Sequence, residues 1–132
     1  MNHYSGSCKC GEIQFQLTGD IKKVVNCHCN QCRKMNSMPV STYGVVLENE
    51  FALTTGELSA FTLKENAVKH FCGHCGTAIY NKNPRLPGLA LVYLYSLDSD
   101  HLPEPQVNVF CESKLNWLDN LGEIPNFEQH MS

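Results

Sequence analysis

Eight cysteines in 132 residues constrain this chain more than any other feature, because seven of them fall into three tight groups. The groups are Cys8-Lys9-Cys10, Cys27-His28-Cys29-Asn30-Gln31-Cys32 and Cys72-Gly73-His74-Cys75. No basic and apolar signal region precedes the first group, so we expect a cytoplasmic protein whose thiols stay reduced. The spacing favours metal binding over disulfides, because a C-x-C pair closes only a small, strained disulfide ring but clamps a soft cation easily.

Length and charge exclude several classes of protein. The 132 residues fit one domain, spanning residues 1–132, with enough chain to bury a core. With 10 Lys and Arg against 13 Asp and Glu, the net charge of −3 is not the basic footprint of a nucleic-acid binder. The longest apolar run, residues 89–95, is far shorter than the roughly 20 residues of a membrane-spanning helix. We therefore expect no nucleic-acid or membrane partner, and the oligomeric state stays open.

The polarity pattern predicts a mostly β protein with twisted antiparallel sheets. Residues 12–18 alternate polar and apolar side chains, as a half-buried strand does, and the turn at Gly19-Asp20 predicts a partner strand at residues 22–26. Further strands are predicted at residues 39–47, 51–55, 58–63, 67–71, 77–80, 89–97 and 107–112. The third cysteine group then lies at the tip of a hairpin. Helix is confined to about one turn after Asn30 and one around residues 114–121.

The first and third cysteine groups complement each other as a structural metal site. Each supplies two thiolates and is followed by a glycine that lets the backbone fold back around a metal. Zinc is the default ion for clustered thiolates, and a structural zinc takes four ligands. We therefore predict one zinc site formed by Cys8, Cys10, Cys72 and Cys75, joining the first strand to a distant hairpin and tying two ends of the sheet together. Loss of that metal would cost much of the stability.

The middle group offers three thiolates, from Cys27, Cys29 and Cys32, and so an incomplete tetrahedron. Three protein ligands with an open fourth position are typical of catalytic zinc. The alternative is a closed site whose fourth ligand is Cys111 or a histidine. We interpret Cys111 instead as a small buried hydrophobic residue on a strand. His28 lies between two ligands and is poorly placed to reach the same ion, which leaves an orienting or acid–base role, or simple exposure.

An open three-cysteine zinc favours a sulfur ligand over water activation. Three thiolates give the site a formal net charge of −1 and weaken the ion as a Lewis acid, so the natural fourth ligand is a thiol substrate. Arg33 and Lys34 follow directly; they would offset the charge and hold carboxylates of that substrate. The alternative is that both are solvated side chains. The resulting hypothesis is an enzyme that adds a small thiol to an aldehyde or cleaves the adduct.

Taken in order, the cysteine motifs resemble the glutathione-dependent formaldehyde-activating enzyme family, which includes the centromere protein V-like domains. The resemblance covers nearly the whole chain and rests on Cys8-Lys9-Cys10-Gly11, Cys27-His28-Cys29-Asn30-Gln31-Cys32-Arg33-Lys34, Phe71-Cys72-Gly73-His74-Cys75-Gly76-Thr77, and Glu112-Ser113-Lys114 before Trp117. The chain departs from the family pattern at Asn108, where many relatives have a histidine, and at Met35-Asn36-Ser37, which replaces a glycine-containing stretch of small residues.

The resemblance implies a β-tent (Mss4-like) fold and two zinc ions per chain, the second of them labile. It implies a structural zinc on the first and third cysteine groups and a second zinc on Cys27, Cys29 and Cys32. The implied activity is formation of S-hydroxymethylglutathione from formaldehyde and glutathione, classed as a carbon–sulfur lyase. The alternative from another class is a non-catalytic, zinc-stabilised interaction module, which would bind no small thiol.

Overall fold

The computed structural model describes residues 3–131, and this part of the chain is mostly β, as predicted. Its strands are β1 (Tyr4–Ser7), β2 (Gln14–Leu17), β3 (Lys23–Cys27), β4 (Ser41–Leu47), β5 (Phe51–Thr55), β6 (Ser59–Thr62), β7 (Val68–Phe71), β8 (Ala78–Lys82), β9 (Leu89–Tyr93) and β10 (Val107–Val109). The α-helix α1 spans Asn30–Asn36. Short 3₁₀ helices span Glu48–Glu50, Lys64–Asn66, Leu94–Ser96, Cys111–Ser113 and Asn116–Glu123.

The strands of the described residues form two sheets. The smaller sheet has the order β1-β2-β5 and is antiparallel. The larger sheet has the order β10-β3-β4-β9-β8-β7-β6, with antiparallel pairing except between the edge strand β10 and β3, which run parallel. A bridge between Gly6 and Leu97 connects β1 to the segment after β9. Two sheets joined in this way confirm the predicted fold class.

Side chains from both sheets form the core. On β2 the predicted alternation holds, with Phe15 and Leu17 buried while Gln14 and Gln16 face solvent. The ring of Phe15 stacks on Phe51 with centroids 5.0 Å apart. The larger sheet contributes buried side chains from β3, β4, β8 and β9, namely Val24, Val46, Ile79, Ala90 and Val92. Burying each large apolar side chain contributes about 1.5–3 kcal/mol, so this shared core holds the two sheets together.

The predicted hairpin between residues 12–18 and 22–26 is wrong. β2 pairs with β1 and β5, whereas β3 pairs with β4 and β10 in the other sheet. The intervening residues carry the chain from one sheet to the other: Ile21 packs against the core and the Lys22 amide donates to the Val45 carbonyl at 2.7 Å. A turn signal in the sequence cannot distinguish a hairpin from such a crossing.

Two predicted strands end three or more residues earlier than expected, and one strand was not predicted. The strand predicted at residues 89–97 ends at Tyr93, where the chain turns into a 3₁₀ helix and the Ser96 hydroxyl donates to the Tyr93 carbonyl at 2.7 Å. The strand predicted at residues 107–112 ends at Val109, because Phe110 has a left-handed backbone with φ of +57°. β1 has too few apolar residues to show a strand pattern. Within residues 3–131, every helix is too short or too polar to cross a membrane.

Candidate metal centres and the adjoining cavity

The first and third cysteine groups meet in space and link the two sheets. Cys8 and Cys10 follow β1 of the smaller sheet, and Cys72 and Cys75 lie between β7 and β8 of the larger one. The four sulfurs all lie within 4.8 Å of one another. The Cys10 sulfur is 3.5 Å from that of Cys8 and 3.8 Å from that of Cys72. A tetrahedral zinc with bonds of about 2.3 Å places its sulfurs about 3.8 Å apart, so the donor set fits this ion.

This cluster joins two sheets, which corrects the expectation that it ties together two ends of one sheet. Tight turns at two glycines create the cluster. Gly11 and Gly76 have φ of +84° and +82°, a conformation that other residues adopt only with strain. Their amides donate to the Cys8 and Cys72 carbonyls at 3.1 and 2.9 Å, respectively, and so close the two turns.

Thr77 forms a hydrogen bond with one sulfur of this cluster and favours its thiolate form. Its hydroxyl accepts a hydrogen bond from the Lys9 amide at 3.0 Å and lies 3.2 Å from the Cys75 sulfur, to which it donates. That hydrogen bond, with backbone amide donors, lowers the pKa of Cys75 to about 5. Cys75 is therefore a thiolate at neutral pH, which is the form that binds metals.

The middle cysteines form a second cluster, which we call the trio: Cys27, Cys29 and Cys32. Cys27 ends β3, Cys29 is the N-cap of α1, and Cys32 lies in the first turn of that helix. The Cys29 sulfur accepts a hydrogen bond from the Cys32 amide at 3.2 Å, so the helix cap holds the Cys29 sulfur close to Cys32. The three sulfurs lie within 4.8 Å of one another, and among residues 3–131 no other His, Cys, Asp or Glu joins them.

The trio could hold a metal ion with three protein ligands, the donor number typical of catalytic zinc. Two of its thiols titrate together. The neighbouring Cys32 thiol lowers the pKa of Cys27 to about 6, and the neighbouring Cys27 raises the pKa of Cys32 above its ordinary value. At neutral pH the pair therefore holds one thiolate and one thiol, and metal binding would release the remaining proton.

Tyr43 is a member of this site that sequence reasoning missed. It is only 3 % exposed on β4, and its hydroxyl lies 3.1 Å from the Cys32 sulfur while accepting a hydrogen bond from the Asn81 side-chain amide at 3.2 Å. Burial raises its pKa, so the hydroxyl stays protonated and can donate to the sulfur. A buried tyrosine needs a hydrogen-bond partner, and the inward position of Tyr43 on a predicted strand was the available signal.

Replacing Tyr43 with phenylalanine is expected to destabilise the fold by about 1–3 kcal/mol, because the buried hydroxyl that contacts the Cys32 sulfur and the Asn81 amide is lost. Urea unfolding of the metal-loaded protein measures the change. Tyr95→Phe is the matched control, since Tyr95 is 70 % exposed, and its effect is expected to stay within about 0.5 kcal/mol. Equal stabilities for the two variants would contradict the assigned contact.

The structure settles two open questions about neighbours of the trio. We expected Cys111 to be buried on a strand, but it is exposed in a 3₁₀ helix that begins after the left-handed Phe110. Its sulfur donates to the Asn108 carbonyl at 3.5 Å. It lies outside both cysteine clusters. His28 is buried, with only 3 % of its surface exposed, and its Nε2 lies 2.9 Å from the Asn108 side-chain oxygen.

Arg33 and Lys34 lie in different surroundings. The Arg33 guanidinium turns back to the start of α1, where it donates to the His28 carbonyl at 3.4 Å and to the Asn30 side-chain oxygen. Lys34 is exposed and faces a cavity of about 780 Å³ between α1 and strands β6 and β7. The cavity adjoins the trio, because Asn30 and Gln31, which separate Cys29 from Cys32 in the chain, form part of its lining.

The cavity carries positive charge. Lys34, Lys64 and Lys69 line it, and no acidic residue is among the described residues that do so. Asn36, the last residue of α1, accepts hydrogen bonds from Lys69 Nζ at 2.9 Å and from the Tyr93 hydroxyl at 3.1 Å. Burial lowers the pKa of Lys69, and Asn36 holds its amino group at a defined place in the lining. The cavity is therefore suited to an anionic ligand.

Comparisons with known proteins place this chain among described relatives. Residues 3–113 match the family described as glutathione-dependent formaldehyde-activating enzyme. A protein of Halomonas elongata, provisionally described by the same words, is 29 % identical over 126 residues, which cover 86 % of this chain and 78 % of the relative. One from Colletotrichum graminicola with the same provisional description is 24 % identical over 111 residues, or 80 % of this chain. This chain spans only 58 % of the length of that second relative.

A solved structure has the same fold. The crystal structure of a Rhodobacter sphaeroides protein superposes with a TM-score of 0.63, covering 79 % of this chain and 97 % of the other. The two sequences are 18 % identical, so the likeness concerns the fold alone.

Proposed function

Because the chain belongs to the glutathione-dependent formaldehyde-activating enzyme family, we propose that it is a zinc-dependent carbon–sulfur lyase acting on a small thiol. The thiol is glutathione or a close relative, and formaldehyde is a candidate co-substrate. The relatives that match the chain carry provisional descriptions with the same two reactants. The observation that carries the proposal is a trio of cysteine sulfurs with no fourth protein ligand among the described residues, next to a lysine-lined cavity.

Two metal ions per chain follow from this proposal. Cys8, Cys10, Cys72 and Cys75 would hold a structural zinc, and the trio would hold the second, more labile one. A zinc ion held by three cysteines keeps one coordination position for an external ligand and would hold a substrate sulfur deprotonated at neutral pH. Four sulfurs suit an inert structural ion, whereas three leave room for chemistry.

The residues of the chain would bind and orient the substrate. Lys34, Lys64 and Lys69 attract the carboxylates of glutathione into the cavity. Arg33 was predicted to share this role; its hydrogen bonds to the start of α1 assign it first to holding the helix, and substrate binding by Arg33 stays a prediction. Because thiol and aldehyde already react slowly in water, holding both reactants close together is the main contribution we expect.

Calorimetric titration of the zinc-loaded protein with glutathione tests the proposal. We expect saturable binding that weakens as salt is added, because the lysines attract the carboxylates through a solvent-exposed cavity. No saturable heat with glutathione or related thiols would contradict the enzyme and favour the alternative, a zinc-stabilised interaction module. Elemental analysis adds a second test: at a large excess of thiol, beyond that needed for saturation, the metal content is expected to fall from two zinc ions per chain towards one, because competing thiols extract the less firmly held ion.

Lys34→Gln and Lys64→Gln are each expected to weaken glutathione binding about 3- to 10-fold, because each removes one cation from the cavity. Lys23→Gln is the matched control, since Lys23 is exposed on β3 and lies outside the cavity lining. The same titration measures all three variants. Equal weakening by the control would show that net charge, and not the cavity, attracts the ligand.

We further propose that residues 1–132 act as one zinc-binding domain in the cytoplasm, with a small thiol and not a nucleic acid as the partner. The net charge of −3 supports this choice of partner, since a phosphate backbone attracts basic surfaces. The three cavity lysines are too few to form an extended basic stripe.

A further inference from the structure

Four apolar side chains, which we call the apolar wall, also line the cavity beside the trio, and an anionic thiol alone does not explain them. Phe61 on β6 and Phe71 on β7 line it together with Leu63 and Met35. Phe61 is 60 % exposed, so much of its ring is free to contact a ligand in the cavity. The Lys69 amino group lies 5.9 Å from the centre of the Phe71 ring, so a cation lies beside the apolar wall.

The size of the cavity also indicates a ligand larger than the thiol alone. Ligand cavities of about 300–1,000 Å³ hold molecules of drug size. At about 780 Å³, this one has room for a tripeptide thiol and a substituent on its sulfur. Formaldehyde contributes only one carbon to an adduct and would leave the aromatic wall in contact with water. An apolar group attached to the sulfur would cover it.

We propose that the carbonyl partner of this enzyme is larger and more apolar than formaldehyde, with its substituent packed against Phe61, Leu63 and Phe71. The proposal rests on the proposed function and specifies its substrate class: adducts of glutathione with aromatic or branched aldehydes. The lysines bind the carboxylates, and the apolar wall binds the group derived from the aldehyde.

The chemistry is the same for any aldehyde. The thiol gives its proton to solvent, and the thiolate sulfur attacks the carbonyl carbon. A C–S bond forms as the C=O π pair moves to oxygen, which takes a proton from water to give the hydroxyalkyl thioether. Cleavage reverses these steps, and no oxidant or reductant is needed.

Binding of stable thioethers tests the inference without the spontaneous reaction of aldehydes with thiols. S-benzylglutathione represents an aromatic adduct and S-methylglutathione the formaldehyde adduct, and each is titrated into the zinc-loaded protein in a calorimeter. We expect the benzyl compound to bind about tenfold more tightly or better, because its ring leaves water for the apolar wall. Phe61→Ala is expected to remove most of that preference and to change binding of the methyl compound less than about twofold.

Phe127→Ala is the matched control, because Phe127 is 51 % exposed and lies outside the cavity lining. It is expected to leave both affinities unchanged. Equal binding of the two thioethers by the natural protein, with glutathione still bound, would overturn the apolar substrate class and leave the proposed function standing. If neither thioether nor glutathione binds, the proposed function fails and this inference fails with it.

Discussion

The variant Cys72→Ser is expected to lose about 3–5 kcal/mol of stability and to melt about 10–20 °C below the natural protein. Cys72 is buried and supplies one of four sulfurs that connect the two sheets. Serine is a poor zinc ligand, so the variant keeps the three remaining sulfurs but loses the closed site. Thermal unfolding followed by circular dichroism, with and without a chelator, measures the change.

Cys111→Ser provides the control for this experiment. Cys111 is an exposed cysteine outside both clusters, so its substitution is expected to change the melting temperature by less than about 2 °C. A chelator is expected to lower the melting temperature of the natural protein and of this control much more than that of Cys72→Ser. A chelator effect of equal size in all three proteins would show that the four-sulfur site does not stabilise the fold through metal.

The second large effect is expected on function and not on stability. Cys29→Ser removes one sulfur of the trio but keeps the helix cap, because serine is among the preferred N-cap residues and can accept the same hydrogen bond from the Cys32 amide. We expect glutathione binding to weaken about 100-fold or more and the zinc content to fall by one ion per chain. The melting temperature is expected to change by less than about 3 °C.

Calorimetry with glutathione and elemental analysis on the same sample check this outcome. Cys111→Ser again serves as the matched control and is expected to retain both metal ions and the affinity for glutathione. If Cys29→Ser loses its fold together with its metal, the trio is a second structural site and the proposed enzyme loses its reactive centre. If it binds glutathione unchanged, the thiol is bound elsewhere.

Together the two variants test how unequally the seven clustered sulfurs are used. Four of them lie between sheets that share a core, whereas three lie at the end of β3 and the start of α1 beside a cavity. We therefore expect the first substitution to affect mainly folding and the second mainly ligand binding. The reverse pattern would exchange the roles of the two sites.

Local patterns in the sequence were sufficient for most individual strands. β5 has the predicted bounds, and the strands flanking the third cysteine group form the predicted hairpin. Alternation of side chains also placed Phe15 and Leu17 in the core. Such features depend on residues close together in the chain, and the periodicity of their polarity can be read from the sequence.

Pairing between distant strands was not predictable in the same way. The error at residues 22–26 arose because a turn between two strand-like segments predicts a hairpin, whereas the core draws β2 and β3 into different sheets. The parallel pairing of β10 with β3 joins residues about eighty positions apart and has no local signal. Both depend on the free energy of packing the whole chain, to which each local segment contributes little.

The chemistry of the two cysteine clusters was visible in the chain itself. Sulfur is the donor that soft metal ions prefer, and ligands two or three residues apart reach a common ion whatever the rest of the fold does. The donors within each motif, and the capping of α1 by Cys29, follow from this short-range geometry, whereas the meeting of the first and third groups depends on the packing of the two sheets.

Folding in three dimensions was needed for everything that surrounds those sulfurs. It brings the Tyr43 hydroxyl to Cys32, joins Arg33 to the start of α1 while Lys34 faces the cavity, exposes Cys111, and places aromatic side chains of β6 and β7 opposite α1. These contacts join residues from distant elements, and their geometry is set by how two sheets pack around a shared core. Spacing along a chain reports which atoms can share a metal, whereas the shape and charge of the space beside it depend on long-range packing.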